Sequence, residues 1–247
     1  MFQETYGGPA AAFAASIPGD AVLWDDLVAR YAWADADKPE AYTFSVVAGR
    51  TEDEVIRAFG GDPGRARRMT FAEAADEQAD HLYEDYELLR VVTSGEHVVA
   101  IEWGYHGSDP GIARRASAGG GEFFSVYRDV NARHQVLHAI DGRVDGVFDP
   151  AELEDAAWLD PSPEVPVRAS DVSFHMDTLC AESFALMERT MGVAVDPAWI
   201  DTDVPAADGI SEAVPAVTVS RVAEWALGDE AEIVARAVDV RFEAGGR

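Results

Sequence analysis

The stretch that decides the fold covers residues 122–148 and reads EFFSVYRDVNARHQVLHAIDGRVDGVF. It contains three segments rich in β-branched and aromatic residues, at 122–128, 133–140 and 143–148. Such runs are typical of strands. Asp141-Gly142, between the last two segments, is a dipeptide that two-residue hairpin turns prefer. Because connections this short join antiparallel neighbours, the stretch predicts consecutive antiparallel strands.

The same pattern continues upstream. Residues 88–93 and 97–103 are strand-like and are joined by Ser94-Gly95-Glu96, a hairpin signal, and residues 42–47 read as a buried strand. We therefore expect an α+β protein with an antiparallel sheet of about five to six strands, with helices packed on one face and at the ends.

Helix-start signals separate these strands. Residues 51–54 and 70–73 each have the capping-box pattern, and Ser108-Asp109-Pro110 combines a cap with proline at the first helical position. A further helix is predicted from Ser170 to Met191. The domain prediction is a loosely ordered segment at 1–19, an α+β core domain at 20–200, and an acidic, helical C-terminal extension at 201–247.

Charge is the strongest compositional feature. The 247 residues include 46 acidic and 19 basic side chains, which give a formal net charge of −27. Such a surface repels nucleic acid and anionic membranes and attracts cationic partners. Solubility, or a salt-adapted host, would explain the same excess. The chain has no apolar run near the ~18 residues of a membrane span and no signal-peptide pattern, so a cytoplasmic location is expected. A single lysine, Lys38, and a single asparagine, Asn131, are typical of a GC-rich genome.

The common catalytic motifs are missing. Gly119-Gly120-Gly121 lies between a helix and a strand, which is the wrong order for a dinucleotide fingerprint. His134 and His138 share a face of a strand about 13 Å apart, too far for one metal ion, and are expected as a hydrogen-bonded surface pair. No metal site or cofactor is predicted. Cys180 could be a nucleophile, but a small buried hydrophobe is favoured. The basic cluster Arg65, Arg67 and Arg68 is expected to pair with the protein's own carboxylates, and a phosphate-binding role is the alternative.

One loop combines chemically useful side chains at a strand end. Glu102, Trp103, Tyr105 and His106 lie between two glycine-containing turns, and Tyr127, Arg128 and Asn131 end a neighbouring strand. If the two ends are adjacent, they form a ligand-binding pocket with His106 as acid or base and Arg128 as an anion clamp. The alternative interpretation is the edge of a hydrophobic core.

Two functions follow from these patterns. The first is a non-enzymatic binding protein, similar to the immunity proteins that neutralise basic toxins, in which the acidic faces of the helix at 70–86 and of the C-terminal third engage a cationic partner. The helix face comprises Glu73, Asp76, Glu77, Asp80 and Glu84. The second is a small-molecule enzyme or ligand binder that uses the pocket described above. The sequence does not indicate an oligomeric state.

Several segments together resemble an uncharacterised actinobacterial domain-of-unknown-function family. They lie at residues 42–44, 51–56, 59–63, 69–74, 102–104, 125–132, 141–144, 148–150, 190–193 and 199. The resemblance covers about residues 20–200 through the order and spacing of these segments. It implies an actinobacterial host and a compact domain, and it assigns no catalytic residues.

Overall fold

The computed structural model describes residues 23–36, 41–80, 87–131, 133–154, 172–199 and 217–221. Its strands are β1 (Tyr42–Ala48), β2 (Arg67–Met69), β3 (Leu88–Ser94), β4 (His97–Glu102), β5 (Glu122–Arg128), β6 (His134–Ile140), β7 (Arg143–Phe148) and β8 (Val217–Arg221). They form an eight-stranded sheet in the order β2-β8-β3-β4-β1-β5-β6-β7, and neighbouring strands are antiparallel throughout. The predicted α+β class and antiparallel pairing are confirmed.

Seven α-helices lie among the described residues. They are α1 (Trp24–Arg30), α2 (Trp33–Ala36), α3 (Glu52–Ala58), α4 (Phe71–Asp80), α5 (Pro110–Ser117), α6 (Pro150–Glu154) and α7 (Leu179–Met191). Short 3-10 helices lie at Pro63–Arg65, His106–Ser108 and Pro197–Trp199. Both capping boxes form, because Thr51 and Thr70 accept amides from Glu54 and Glu73, whose carboxylates return the bond. Asp109 caps α5 ahead of Pro110.

Helices cover both faces of the sheet. On one face, Phe44 and Val46 of β1 pack against Phe184 of α7, and we call it the α7 face. On the other, Val47 packs with residues of α3 and with Ile112 of α5, and we call it the α5 face. Successive strand residues point to opposite faces, so neighbouring side chains belong to separate cores.

The helix placement differs from the prediction of one covered face. The reason lies in strands such as β1, where residues 42–47 are all buried. A strand that is buried on both faces has a nearly continuous apolar sequence, and such strands occur in sheets that helices cover on both sides.

Two further details differ from the sequence predictions. Residues 172–178 lie outside any helix, so the helix predicted from Ser170 begins at Leu179. Residues 217–221, predicted as helical, form β8 between β2 and β3. Three consecutive β-branched residues, Val217, Thr218 and Val219, favour this strand. The N-terminal segment 1–19 and the rest of 201–247 lie outside the described residues.

Candidate functional site

The candidate site lies on the α5 face, at the end of the central strands. Register places Glu102 of β4 opposite Thr43 of β1, and Thr43 opposite Tyr127 of β5. After β4 the chain turns back over these residues into the 3-10 helix His106–Ser108. Gly107 permits the close approach, since a Cβ there would lie 2.5 Å from Ser45 Oγ. The loop is therefore fixed directly on the sheet.

Hydrogen bonds hold this loop from both sides. The Gly107 amide donates to Glu102 Oε1 at 2.6 Å, and Ser125 Oγ donates to the Gly107 carbonyl at 2.7 Å. Thr43 Oγ1 donates to the Gly104 carbonyl. Together these bonds fix the backbone on both sides of His106 and thereby the position of its imidazole.

Two carboxylates converge on that imidazole. His106 Nδ1 lies 2.9 Å from Glu102 Oε2 and 3.1 Å from Glu87 Oε2. Glu102 and His106 are buried, whereas the Glu87 side chain is 18% exposed. The Tyr105 ring stacks on His106 with centroids 5.2 Å apart. We refer to Glu87, Glu102 and His106 as the Glu–His–Glu cluster.

Burial and charge oppose each other in this cluster. Burial lowers the pKa of His106, but the hydrogen bonds and charges of Glu102 and Glu87 outweigh it and raise the pKa to about 10. Burial likewise raises the pKa of Glu102, against the lowering effect of His106. In the absence of another cation, the imidazole is therefore held as imidazolium, a form that cannot accept a proton as a general base.

A third buried charge lies close by. Arg90 of β3 is buried on the α7 face, with its guanidinium carbon 5.4 Å from the Trp103 ring centroid. Burial lowers the pKa of Arg90 to about 10, against the raising effect of Glu87 and Glu102. The sheet end thus balances two carboxylates with two nitrogen cations.

The structure separates the two parts of the predicted pocket. Arg128 pairs with Tyr42 and lies on the α7 face, where its Nη1 is 3.7 Å from Cys180 Sγ. His106 lies on the α5 face, so the predicted combination of His106 with Arg128 does not occur. Tyr127 lies on the same face of the sheet as the Glu–His–Glu cluster. Burial, and secondly the charge of Asp129, raises the pKa of Tyr127.

Two further predicted pocket residues do not join the cluster. Trp103 contacts Arg90 on the opposite face. Asn131 is exposed in the β5–β6 loop, where its amide donates to Asp129 Oδ1 at 2.8 Å. Of the predicted set, the described structure therefore brings together Glu102, His106, Tyr105 and Tyr127.

Glu87 and Arg90 were not among the predicted site residues. Arg90 pairs with Ile101, and the same antiparallel register, continued beyond the strand ends, places Glu87 beside Gly104. Counting outward from the hairpin turn at Gly95 would have found Glu87, since side chains at matched distances from a turn are neighbours. No local motif marks Arg90, because its role depends on burial by distant elements.

The acid-rich face of α4 is partly used within the protein. The Glu73 carboxylate caps its own helix at Thr70. Glu77 forms an ion pair with Arg67 at 2.6 Å. Asp76 and Asp80 are exposed. Glu84 lies outside the described residues.

The remaining sequence predictions have clear outcomes. Arg67 and Arg68 pair with Glu77 and Glu52, as expected for a basic cluster in an acidic chain. His134 and His138 are buried, which corrects their expected surface position. Both lie on one strand whose two faces are covered by helices, so a position shared on one face does not imply solvent contact.

Cys180 behaves as a buried hydrophobe. It is 2% exposed, and burial is the main cause that raises the pKa of its thiol to about 11. A thiol with so high a pKa contains little thiolate at neutral pH, which argues against a nucleophile. His175 precedes α7 and contacts Glu182, so it does not activate Cys180.

A separate groove of about 510 Å³ lies between α1 and the segment that leads into α7. Its lining includes Trp24, Val28, Ala29, His175 and Glu182. None of the predicted site residues lines it. Among the described residues, no helix has the length and apolar character needed to cross a membrane.

Comparison with known proteins gives short matches to two curated proteins and a longer match to a protein family. Two curated proteins named streptothricin hydrolase from Streptomyces noursei are similar to this chain. One is 62% identical over 45 residues, 18% of each chain, and the other is 64% identical over 42 residues, 17% of this chain and 15% of the relative. The chain thus spans less than a fifth of the curated relatives it matches, and no solved structure matches it significantly. A family profile described as "Family of unknown function (DUF6461)" matches residues 26–203, so the chain belongs to the DUF6461 family.

Proposed function

We propose that this chain is a non-enzymatic binding protein, immunity-like or regulatory, that engages a cationic protein partner through its surface carboxylates. The observation that carries the proposal is the way the protein distributes its charge. Several of its arginines pair with carboxylates of the same chain, while Asp76 and Asp80 on α4 are exposed and have no ion-pair partner among the described residues.

The arginines support this proposal by pairing internally. In the part of the chain that the structure describes, at least six of them lie within 4.0 Å of a carboxylate of the same chain. The pairs are Arg30–Glu188, Arg50–Glu54, Arg57–Asp53, Arg67–Glu77, Arg68–Glu52 and Arg133–Asp129. Each pair is close to neutral as a unit. The uncompensated charge of the surface is therefore negative, and it would draw a cationic protein by long-range attraction.

Helix α4 provides the most specific surface. Asp76 and Asp80 are exposed and four residues apart, so their carboxylates lie on one face of the helix. Like charges at this spacing destabilise a helix by a few tenths of a kcal/mol. Within the described residues, neither side chain has an ion-pair partner. A basic side chain from a partner would relieve this repulsion.

The test reverses these two charges. We compare Asp76→Lys/Asp80→Lys with Asp26→Lys/Glu96→Lys, a matched control that changes the net charge equally at exposed positions on α1 and the β3–β4 turn. Each tagged protein is used to capture partners from the lysate of its native host at low salt, and any retained protein is then titrated calorimetrically with the purified variants. Circular dichroism verifies that each variant is folded.

The expected result is one basic protein that binds the wild type and the control, loses affinity for the α4 variant, and dissociates steeply with added salt. Equal weakening in both variants would mean a non-specific charge effect and would reject the α4 surface. Absence of a basic protein in every capture at low salt would reject cationic-partner binding altogether.

A small-molecule binder is the second proposal, and a different location favours it. The groove between α1 and α7, at about 510 Å³, falls within the size range of ligand pockets, ~300–1,000 Å³. Its apolar lining includes Trp24, Val28 and Ala29. Ala29→Trp would fill this space from the exposed side of α1. We expect the variant to weaken binding of an apolar fluorescent probe, 8-anilinonaphthalene-1-sulfonate, and unchanged binding would reject the groove as a ligand site.

A further inference from the structure

The Glu–His–Glu cluster directs two carboxylates at a single ring nitrogen. Glu102 Oε2 and Glu87 Oε2 both approach Nδ1 of His106, at 2.9 and 3.1 Å. The three atoms all lie within 4.8 Å of one another. They come from separate parts of the fold: the start of β3, the end of β4 and the 3-10 helix over the sheet. The three atoms therefore surround one point in space.

A second histidine shows that this arrangement is not the usual way to bury an imidazole in this protein. His138 also contacts two carboxylates, Glu122 through Nε2 at 2.8 Å and Asp145 through Nδ1 at 2.9 Å. Its two ring nitrogens point in opposite directions, so each carboxylate faces a ring nitrogen of its own. At His138, therefore, no ring nitrogen is shared between the two carboxylates.

Protons satisfy the cluster at His106 less well. Nδ1 carries at most one hydrogen, and one N–H cannot point along two good hydrogen bonds to different carboxylates. A metal ion can contact all three atoms at once. Ligands about 2.1 Å from an ion lie about 3.0 Å apart at right angles and about 3.4 Å apart at the tetrahedral angle, and the two nitrogen–oxygen distances observed are close to the first of these values.

We propose that Glu87, Glu102 and His106 form a binding site for a divalent transition-metal ion. One imidazole nitrogen with two carboxylate oxygens is a donor set that suits Zn²⁺ and its first-row neighbours. The two carboxylates balance the charge of the ion inside the protein. Glu102 Oε1 also accepts the Gly107 amide, and Thr43 holds the Gly104 carbonyl, so the surroundings fix the ligands in place. Glu87, the most exposed ligand, offers the side of entry.

This inference is independent of the proposed partner binding, because the cluster and α4 share no residue. Its test uses the full chain, stripped with a chelator and titrated calorimetrically with Zn²⁺. Millimolar Mg²⁺ is kept in the buffer to occupy the weak surface carboxylate sites that so acidic a protein offers. Cobalt(II) substitution and X-ray absorption then report the ligand types.

Two variants make the titration specific. Glu87→Gln removes the least buried ligand and is the variant most expected to fold, while His106→Gln removes the imidazole. His138→Gln is the matched control, since it removes the other carboxylate-paired histidine. Circular dichroism of the metal-free proteins separates loss of binding from loss of fold.

We expect one Zn²⁺ per wild-type chain, at least about tenfold weaker binding in Glu87→Gln, and unchanged binding in His138→Gln. The X-ray absorption spectrum of the wild-type complex should show one imidazole nitrogen among the oxygen ligands of the ion. Equal Zn²⁺ affinity in wild type and a folded Glu87→Gln would overturn the proposal. So would a bound ion without imidazole, and the cluster would then be an imidazolium held between two carboxylates.

Discussion

Gly104 lies against Glu87, and a Cβ atom on residue 104 would overlap the Glu87 carboxylate. The absence of a side chain at Gly104 is thus what leaves room for Glu87 beside His106. A glycine in the middle of an otherwise ordinary loop here has a definite structural role, because the backbone passes directly under a charged group.

The first prediction follows from this contact. Gly104→Ala should lower the free energy of unfolding by about 1–3 kcal/mol, because the added methyl group displaces the Glu87 carboxylate from His106. Urea denaturation measures the change. In a Glu87→Ala background the same substitution should cost almost nothing, since the overlapping group has gone. An equal cost in both backgrounds would show that the contact with Glu87 is not the cause.

Gly95→Ala is the control for backbone effects. Gly95 has φ +60°, and nothing lies within 4 Å of its Cβ position. Its substitution should cost about 1 kcal/mol from left-handed strain alone, regardless of residue 87.

The sequence predicted those features that depend on a few neighbouring residues. Thr51 with Glu54 and Asp109 with Pro110 act within a single turn of helix, and the structure forms both caps. The hairpin at Asp141-Gly142 also forms, with φ 48° and 75° at its two residues, as a type I′ turn requires. Local chemistry decides such features before any tertiary contact exists.

The site was harder to predict because it depends on which face each residue takes. His106 follows β4 and Arg128 ends β5 at the same end of the sheet, but β1 lies between these strands, and the two side chains are on opposite faces. In β5 the run from Phe123 to Val126 is buried on both faces, so no alternation of polar and apolar residues revealed the orientation. Glu87 contacts His106 only after the β3–β4 register is known.

The second prediction contrasts two tyrosines packed on Phe184. Ring centroids of Tyr31 and Tyr42 lie 5.8 and 5.7 Å from that ring. The Tyr31 hydroxyl donates to Glu188 and accepts the Val195 amide at 3.1 Å. The Tyr42 hydroxyl is buried, and among the described residues its one neighbour for a hydrogen bond is the weakly bonding Cys180 thiol. Tyr31→Phe should therefore cost about 1–2 kcal/mol, whereas Tyr42→Phe should be neutral or stabilising.

Chemical denaturation of both variants provides the measurement, and each variant is the other's packing control. Burial raises the pKa of both tyrosines, so the neutral form is favoured in the folded protein. Their contribution to stability is present below the ordinary tyrosine pKa and is lost as the pH rises above it. Tyr42→Phe should reduce this alkaline loss. A larger cost for Tyr42→Phe than for Tyr31→Phe would contradict the argument.

The third prediction concerns the start of α7. Asp35, which follows Trp33 in α2, accepts the amides of Cys180 and Ala181 at 3.0 and 2.9 Å. The residue before α7, Thr178, makes no side-chain cap. Asp35 therefore caps the helix from a distant part of the chain and places a negative charge at its N-terminus.

We expect Asp35→Ala to reduce the free energy of unfolding by about 1–2 kcal/mol, and Asp35→Asn to recover part of it because an amide oxygen still accepts a hydrogen bond. Hydrogen exchange should show faster opening of the first turn of α7 in the alanine variant. Unchanged exchange of the Cys180 and Ala181 amides would show that the cap is not needed.

The fourth prediction concerns the reactivity of Cys180. Its thiol is buried, and burial, followed by the charge of Asp35, raises its pKa from 9.0 to about 11, while Arg128 opposes the shift. A pKa two units higher reduces the thiolate fraction at pH 8 about a hundredfold, and only the thiolate reacts with iodoacetamide. Labelling of the folded protein should therefore be at least about a hundredfold slower than labelling of the urea-unfolded chain at the same pH.

The sign of the linked stability effect is fixed by the same shift. Since the folded-state pKa lies above the unfolded value, the thiol contributes stability that is fully present below pH 9.0 and is lost as the pH rises toward about 11. Cys180→Ala removes this titrating group, so the free energy of unfolding of the variant should fall less steeply across that window than that of wild type. Equal slopes, or native labelling as fast as in urea, would mean that the thiol is accessible and titrates normally.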